Sequence, residues 1–460
     1  MRRIFAAIVF VGAIIFFAPF CYEKMQKLPI EQILNSSVLK DRKFAASVQQ
    51  INNDNLSAYL LEEHSNPIVA ISFAFQKSGI AYENDEKSGL TAVLAEMLTA
   101  GGGKYNTQEF KDLCAEYGIK IGFNAGMDDF NGYLQFPREY QAMAVELFKS
   151  ALLHPLMPED YFELIKSQHL IALKMQQEHP ESVLADNFKR FIFEGHPYER
   201  NLLGTKKGIQ NLIIDDLKDY MKSNLAQDNL LIGIAGDIST DEAKQLLSQM
   251  FDELPERNND EMLSRITIET RGKELSVSRK TAQVIASFAV AGTYRDSVDF
   301  YPLYLANYIF GGAGLTSRLN KEIREKEGLT YGIYTYLAIS DAAALLQGGF
   351  SATADNFAKA KDLLSEQWQM MAQNGVSEDE LTEAKKSLIS SYNLRFADID
   401  GIADMLLAMQ KYKLGSDFLD KRNDYINEVE LSEVNAAARK YFKQIPDFVY
   451  IGVDDVKEKK

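Results

Sequence analysis

Cysteine is nearly absent from this chain: two among 460 residues, Cys21 and Cys114. Cys21 borders an apolar N-terminal run, which leaves one thiol for the rest of the chain and no partner for an internal disulfide. Cys114 lies in Phe110-Lys111-Asp112-Leu113-Cys114, at helical spacing and with no histidine near it. It reads as a small core side chain, not a nucleophile. Histidine is almost as scarce. His64, His154, His169, His179 and His196 include no pair at i,i+4 spacing and no His/Cys or His/carboxylate cluster of familiar spacing. A zinc site contained within this chain is therefore not expected. Positive charge is also short: 50 Lys and Arg face 65 Asp and Glu, a formal net charge of −15. That balance argues against a nucleic-acid groove or a polybasic membrane patch. Two glycine-rich stretches, Gly101-Gly102-Gly103-Lys104 and Gly311-Gly312-Ala313-Gly314, lack the Gly-Lys-Ser/Thr ending of a phosphate loop.

What is present begins at the N-terminus. Arg2 and Arg3 precede the apolar run Ile4 to Phe20, the pattern of a secretory signal. Ala18-Pro19-Phe20-Cys21 offers no small-x-small cleavage pattern, so 1–21 reads as a signal peptide or a membrane anchor and 22–44 as a tether. The expectation is an exported, periplasmic protein, either released or held at the inner membrane. With 46% apolar and 25% charged residues, the remainder can bury a large core.

That remainder repeats itself. Pro67 to Phe75 alternates and is rich in β formers, and Ala282 to Val290 plays the same part later. The amphipathic helix Glu139 to Ser150 and the helix start Met157-Pro158-Glu159-Asp160-Tyr161 are answered by Ala354 to Asn374 and Val376-Ser377-Glu378-Asp379-Glu380. Each half closes on a helix and a strand, Tyr220-Met221-Lys222 before Leu230 to Gly236, then Tyr441-Phe442-Lys443 before Val449 to Gly452. An offset that stays nearly constant through four kinds of element marks an internal duplication. The fold class expected is α+β: two tandem homologous domains, 45–255 and 270–455, each a mainly antiparallel sheet with helices packed on one face. A polar linker, 256–269, joins them.

Two such domains resemble the peptidase family of pitrilysin, insulin-degrading enzyme and mitochondrial processing peptidase. The resemblance covers most of the chain and rests on the order of local signposts. These are Gly89-Leu90, Gly195-His196-Pro197-Tyr198 with Leu203-Gly204-Thr205, Asp228-Asn229 before Gly236-Asp237, Gly311-Gly312 with Ser317-Arg318-Leu319, and Arg324 to Tyr331. In active members, His-x-x-Glu-His on the helix opened by Gly-Leu supplies two zinc ligands and a general base, and a glutamate on a later helix completes the ligand set. Here the histidine positions hold Ala92 and Glu96, the general-base position holds Ala95, and Leu170-Ile171-Ala172-Leu173 stands where the third ligand is expected. Methyl groups neither bind zinc nor move protons.

The second half keeps something of the family's chemistry. Ile323 to Tyr331 reads as a helix end, a stop at Gly328 and a strand from Leu329 to Leu337, which brings Arg324 and Tyr331 to one turn. In the family, an arginine and a tyrosine at this spacing reach the zinc site from the C-terminal domain. The resemblance thus implies a non-catalytic subunit that binds substrate through Arg324 and Tyr331. Its partner would be a homologous subunit carrying His-x-x-Glu-His and the zinc, this chain holding no cofactor. The substrate would be a peptide laid along a sheet edge. Two other readings stay open: a peptide-binding or scaffold protein of the envelope without hydrolysis, and a self-sufficient metallopeptidase with unfamiliar ligands.

Overall fold

Period-two alternation builds the centre of the first sheet, and it sets two unlike faces. In β3 (Ile68–Phe75) the residues Val69, Ile71, Phe73 and Phe75 point into one core, while Ala70, Ser72 and Ala74 point the other way. The computed structural model describes residues 47–452 apart from 54–55, 259–261, 393–395 and 397. The segments read as signal or anchor and as tether lie outside the described residues, as does part of the linker.

Around β3 the first sheet runs β1 (Gln49–Asn53), β2 (Leu56–Glu62), β6 (Leu230–Gly236), β3, β5 (Phe130–Pro137), β4 (Lys120–Ala125). The second runs β7 (Glu274–Val277), β11 (Asp447–Ile451), β8 (Val284–Ala291), β10 (Ala344–Ala352), β9 (Ile333–Ile339). In each sheet one pair is parallel, β2 with β6 and β7 with β11, and every other pair is antiparallel. The order β2-β6-β3-β5-β4 is therefore repeated by β7-β11-β8-β10-β9, with the parallel pair in the same place. The duplication read from the sequence is a duplication of topology.

The helices of the first half are α1 (Leu90–Met97), α2 (Thr107–Glu116), α3 (Gln141–Leu152), α4 (Glu159–Glu178), α5 (Pro180–Ile192), α6 (Lys206–Asn211), α7 (Ile214–Asn224) and α8 (Thr240–Phe251). The second half has α9 (Phe300–Asn307), α10 (Ala354–Asn374), α11 (Glu378–Tyr392), α12 (Ile399–Lys411), α13 (Phe418–Asn427) and α14 (Leu431–Tyr441). Each half covers one face of its own sheet: Leu94, Phe148, Leu246 and Phe251 meet the large face of β3, and Leu364, Trp368 and Phe442 meet that of β8. The α+β expectation holds.

The opposite faces are covered reciprocally, which the sequence did not announce. Helix α12, from the second half, lies on the small face of the first sheet, where Ala403 and Leu406 join Tyr59, Ala70 and Ala235 in one cluster. Helix α5, from the first half, places Leu184 and Phe188 against Ala289, Leu345, Val449 and Ile451 of the second sheet. Small residues permit the close approach. A Cβ added at Gly233 would lie 2.2 Å from the Ala403 carbonyl oxygen. The Ser72 hydroxyl donates to Asp404 at 2.6 Å across the same seam.

The halves also meet at equivalent hairpin tips. Asp128 in the β4–β5 turn accepts from the Tyr198 hydroxyl and from the Asp341 amide (3.1 Å) in the β9–β10 turn. The Ala342 amide donates to Tyr198 Oη at 2.8 Å, and Lys411 pairs with Asp129 and, at 3.7 Å, with Asp341. Burial pushes the Asp341 carboxyl up to about 6 against the pull of Lys411, with Asp128 and Asp129 adding repulsion.

Candidate functional site

The site grows from the start of α1. Gly89 caps this helix in the left-handed region, at φ 105°, where a side chain would be strained. Glu83, remote in the turn before, accepts from the amides of Gly89 (2.8 Å) and Thr91 (2.6 Å) and from the Thr91 hydroxyl (2.6 Å). A carboxylate thus satisfies the amides that a helix leaves unpaired at its N-terminus, although burial raises its pKa. The loop carrying Leu203-Gly204 rests on the same place, and a Cβ at Gly204 would come within 2.3 Å of Gly89 Cα.

So placed, α1 packs beside α4 and carries Ala92, Ala95 and Glu96. Ala95 is buried, Ala92 half-buried and Glu96 exposed. The residue that meets Glu96 is His169. Its Nε2 lies 2.9 Å from Glu96 Oε1, the imidazole is 4% exposed, and Nδ1 is buried without a hydrogen-bond partner. His169 adjoins the stretch Leu170 to Leu173, where the resemblance puts the third ligand, and its contact with Glu96 spans 73 residues of sequence. Ile171 is exposed, facing away. One signal in the sequence pointed to His169: with Phe162 and Ile165 it shares the buried stripe of α4.

Zinc needs at least three protein ligands in a closed or a catalytic site. The motif helix and α4 together offer Glu96 and His169, already engaged with each other. Among the described residues no group of three or more His, Cys, Asp and Glu side chains is placed to hold a metal ion. The described side chains at this place do not fit a zinc centre.

Beside α1 runs β4, which pairs with β5 on one side and ends the sheet on the other. Its open row of amides and carbonyls is a template for an added strand.

Arg324 and Tyr331 do come together, but not as expected. Arg324 lies in a π-helical segment, Asn320–Lys326, and its Nε donates to the Tyr331 carbonyl oxygen at 2.9 Å. Gly328 breaks the helix at φ 63°. The strand does not begin at Leu329. It begins at Ile333, because the Thr330 hydroxyl reaches the carbonyls of Gly332 (2.9 Å) and Ser351 (2.6 Å) and folds the intervening residues into a turn. Tyr331 projects from that turn 78% exposed. Arg318 is structural: it grips Glu380 at 2.9 Å and the Gly375 carbonyl at 3.1 Å. Cys114 packs against the first core, and burial pushes its thiol up to about 11.

Two family models match. "Insulinase (Peptidase family M16)" covers 59–206 and "Peptidase M16 inactive domain" covers 211–388, together nearly the whole span from β2 to α11. The chain belongs to the M16 peptidase family. Among M16 relatives, the "Non-peptidase homolog YmxG" of Helicobacter pylori is 24% identical over 90% of this chain and 96% of its own length. The "Uncharacterized zinc protease YmxG" of Bacillus subtilis is 22% identical over 80% of this chain and 89% of its own. In structure, a peptidase M16 inactive domain from Pseudomonas fluorescens superposes with a TM-score of 0.83 at 23% identity, covering 89% of this chain and 99% of that one. A protease from Helicobacter pylori superposes at 0.76 with 14% identity, covering 89% and 100%. These likenesses establish the M16 fold.

Proposed function

We propose that this chain is the non-catalytic, substrate-binding subunit of a two-chain zinc metallopeptidase. The zinc and His-x-x-Glu-His belong to a homologous partner, and this chain lends Arg324 and Tyr331 to the partner's site. The observation that carries the proposal is a preserved frame around a vacated motif. Gly89, Glu83 and Gly204 still set the helix, β4 still offers its edge beside it, and Ala92 and Ala95 stand where the ligand and base belong. Meanwhile the Tyr331 phenol is exposed, and the terminal guanidinium nitrogens of Arg324 carry no hydrogen bond among the described residues. Both groups are free to donate to a peptide carbonyl oxygen, or to the oxyanion that forms when water attacks it. The peptide itself would add as a strand along a sheet edge. The signal-like N-terminus supports an envelope location.

A second reading, a peptide-binding or scaffold protein of the envelope, draws on the same open edge and on the name "Non-peptidase homolog" given to the Helicobacter pylori relative. The two separate in a complex reconstituted with the zinc-bearing partner. Arg324→Ala is expected to lower kcat by about 10²-fold, and Tyr331→Phe by a smaller factor, with assembly intact by size-exclusion chromatography. Unchanged hydrolysis by an assembled Arg324→Ala complex would leave the scaffold reading standing.

A further inference from the structure

A cavity of about 310 Å³ lies where α5 and the segment after it, the β4–β5 turn and the β9–β10 hairpin come together. No residue of α1 or of the Arg324–Tyr331 turn lines it. Its walls are largely apolar, built from Phe193, Tyr198, Leu202 and Leu345, with Gln347 adding an amide. One lining residue is charged, Lys189. Its Nζ donates to the Arg200 carbonyl oxygen at 3.1 Å, which uses one of its three N–H groups. No carboxylate lies within ion-pair distance of it among the described residues. Asp186, the acid on its own helix that favours its charge, is taken up by Arg190 (2.8 Å) and Asn201 (3.2 Å).

An ammonium beside largely apolar walls, with no carboxylate at ion-pair distance among the described residues, is unfavourable, and burial lowers the Lys189 pKa against the pull of Asp186. On the same helix, Leu184 and Phe188 show that the position adjoins a packed apolar surface. An anion would complement this ammonium, and the walls specify what it is attached to. We propose that this cavity binds a small carboxylate with an apolar body, its carboxylate on Lys189 and its body among Phe193, Leu202 and Leu345. The cavity is at the small end of ligand sites, which span about 300–1,000 Å³, so one ring or a short chain fills it. A single cation among apolar walls does not suit a phosphate dianion.

Such a carboxylate can belong to a free aryl or alkyl acid or to the C-terminal residue of a peptide. Calorimetric titration of the full chain with 4-phenylbutyrate and with N-acetylphenylalanine, each beside its carboxamide, tests both. At least one acid is expected to bind saturably at one site, with affinity about tenfold or more above its amide. Lys189→Met is expected to abolish that preference. The tighter acid identifies the source. Absence of saturable binding by both acids, equal affinity for acid and amide, or an unaltered Lys189→Met titration overturns the proposal. Should Lys189→Met not fold, the wild-type chain decides: the acid, and not the amide, is expected to shield Lys189 from acetic anhydride as read by peptide mass spectrometry. Equal labelling with and without the acid overturns it.

Discussion

Glu96 and His169 join two helices through one side-chain contact. Their 2.9 Å contact ties α1 to α4. Glu96→Ala leaves the buried imidazole with neither nitrogen paired among the described residues, and is expected to cost about 1–2 kcal/mol in urea unfolding. Glu96→Ala combined with His169→Leu is expected to recover part of that loss. If Glu96→Ala is neutral, the contact does not hold the helices together. Asp341 supplies a pH dependence. Its carboxyl titrates near 6 in the folded chain against an ordinary value of 3.8. Between those values the folded state keeps a proton that the unfolded state has released, so this group favours folding increasingly as pH falls through the window. Above the window its buried charge is a net cost. Asp341→Asn should therefore melt higher than wild type at about pH 7.5, with the gap closing by about pH 4.5. A gap that widens on acidification would contradict the assignment. At this scale the sequence was partly legible. Ala92, Ala95 and Glu96 are visible because the helix that carries them starts at a recognisable Gly-Leu. Glu83 is not, because a capping carboxylate from a preceding turn has no local pattern. His169 is visible only as one member of a buried helical stripe.

Elements follow the same division between local and distant causes. The strands Ile68–Phe75 and Val284–Ala291 and the helix Ala354–Asn374 could be read from alternation and amphipathic spacing, because local contacts decide them. The start of β9 could not. Leu329 and Thr330 are good β formers, but the Thr330 hydroxyl bonds across to β10 and turns the chain first. Nor could the placement of α12 on the first sheet, since its amphipathicity says that it buries a face but not against which sheet. The clue lay on the sheet, in the small residues Ala70, Ser72 and Ala74. Gly233→Ala tests this seam, because its methyl group would meet the Ala403 carbonyl at 2.2 Å. The backbone of α12 must move or the sheet must yield, and a loss of about 3 kcal/mol or more is expected in chemical denaturation. A neutral substitution would mean that α12 is not seated where described.

For the whole molecule, reciprocal covering by α5 and α12 joins the two halves into one body, so that each sheet depends on the other half for one of its faces. Among the described residues, that body holds no group of three or more His, Cys, Asp and Glu side chains placed to bind a metal ion. The most direct test is a gentle pull-down of the tagged chain from a native cell extract, membranes included, with co-purifying proteins identified and quantified. The expected result is a homologous chain of similar size, carrying His-x-x-Glu-His, in equal amount and accompanied by zinc. Recovery of the chain alone, or with envelope proteins unrelated to it, would contradict the account.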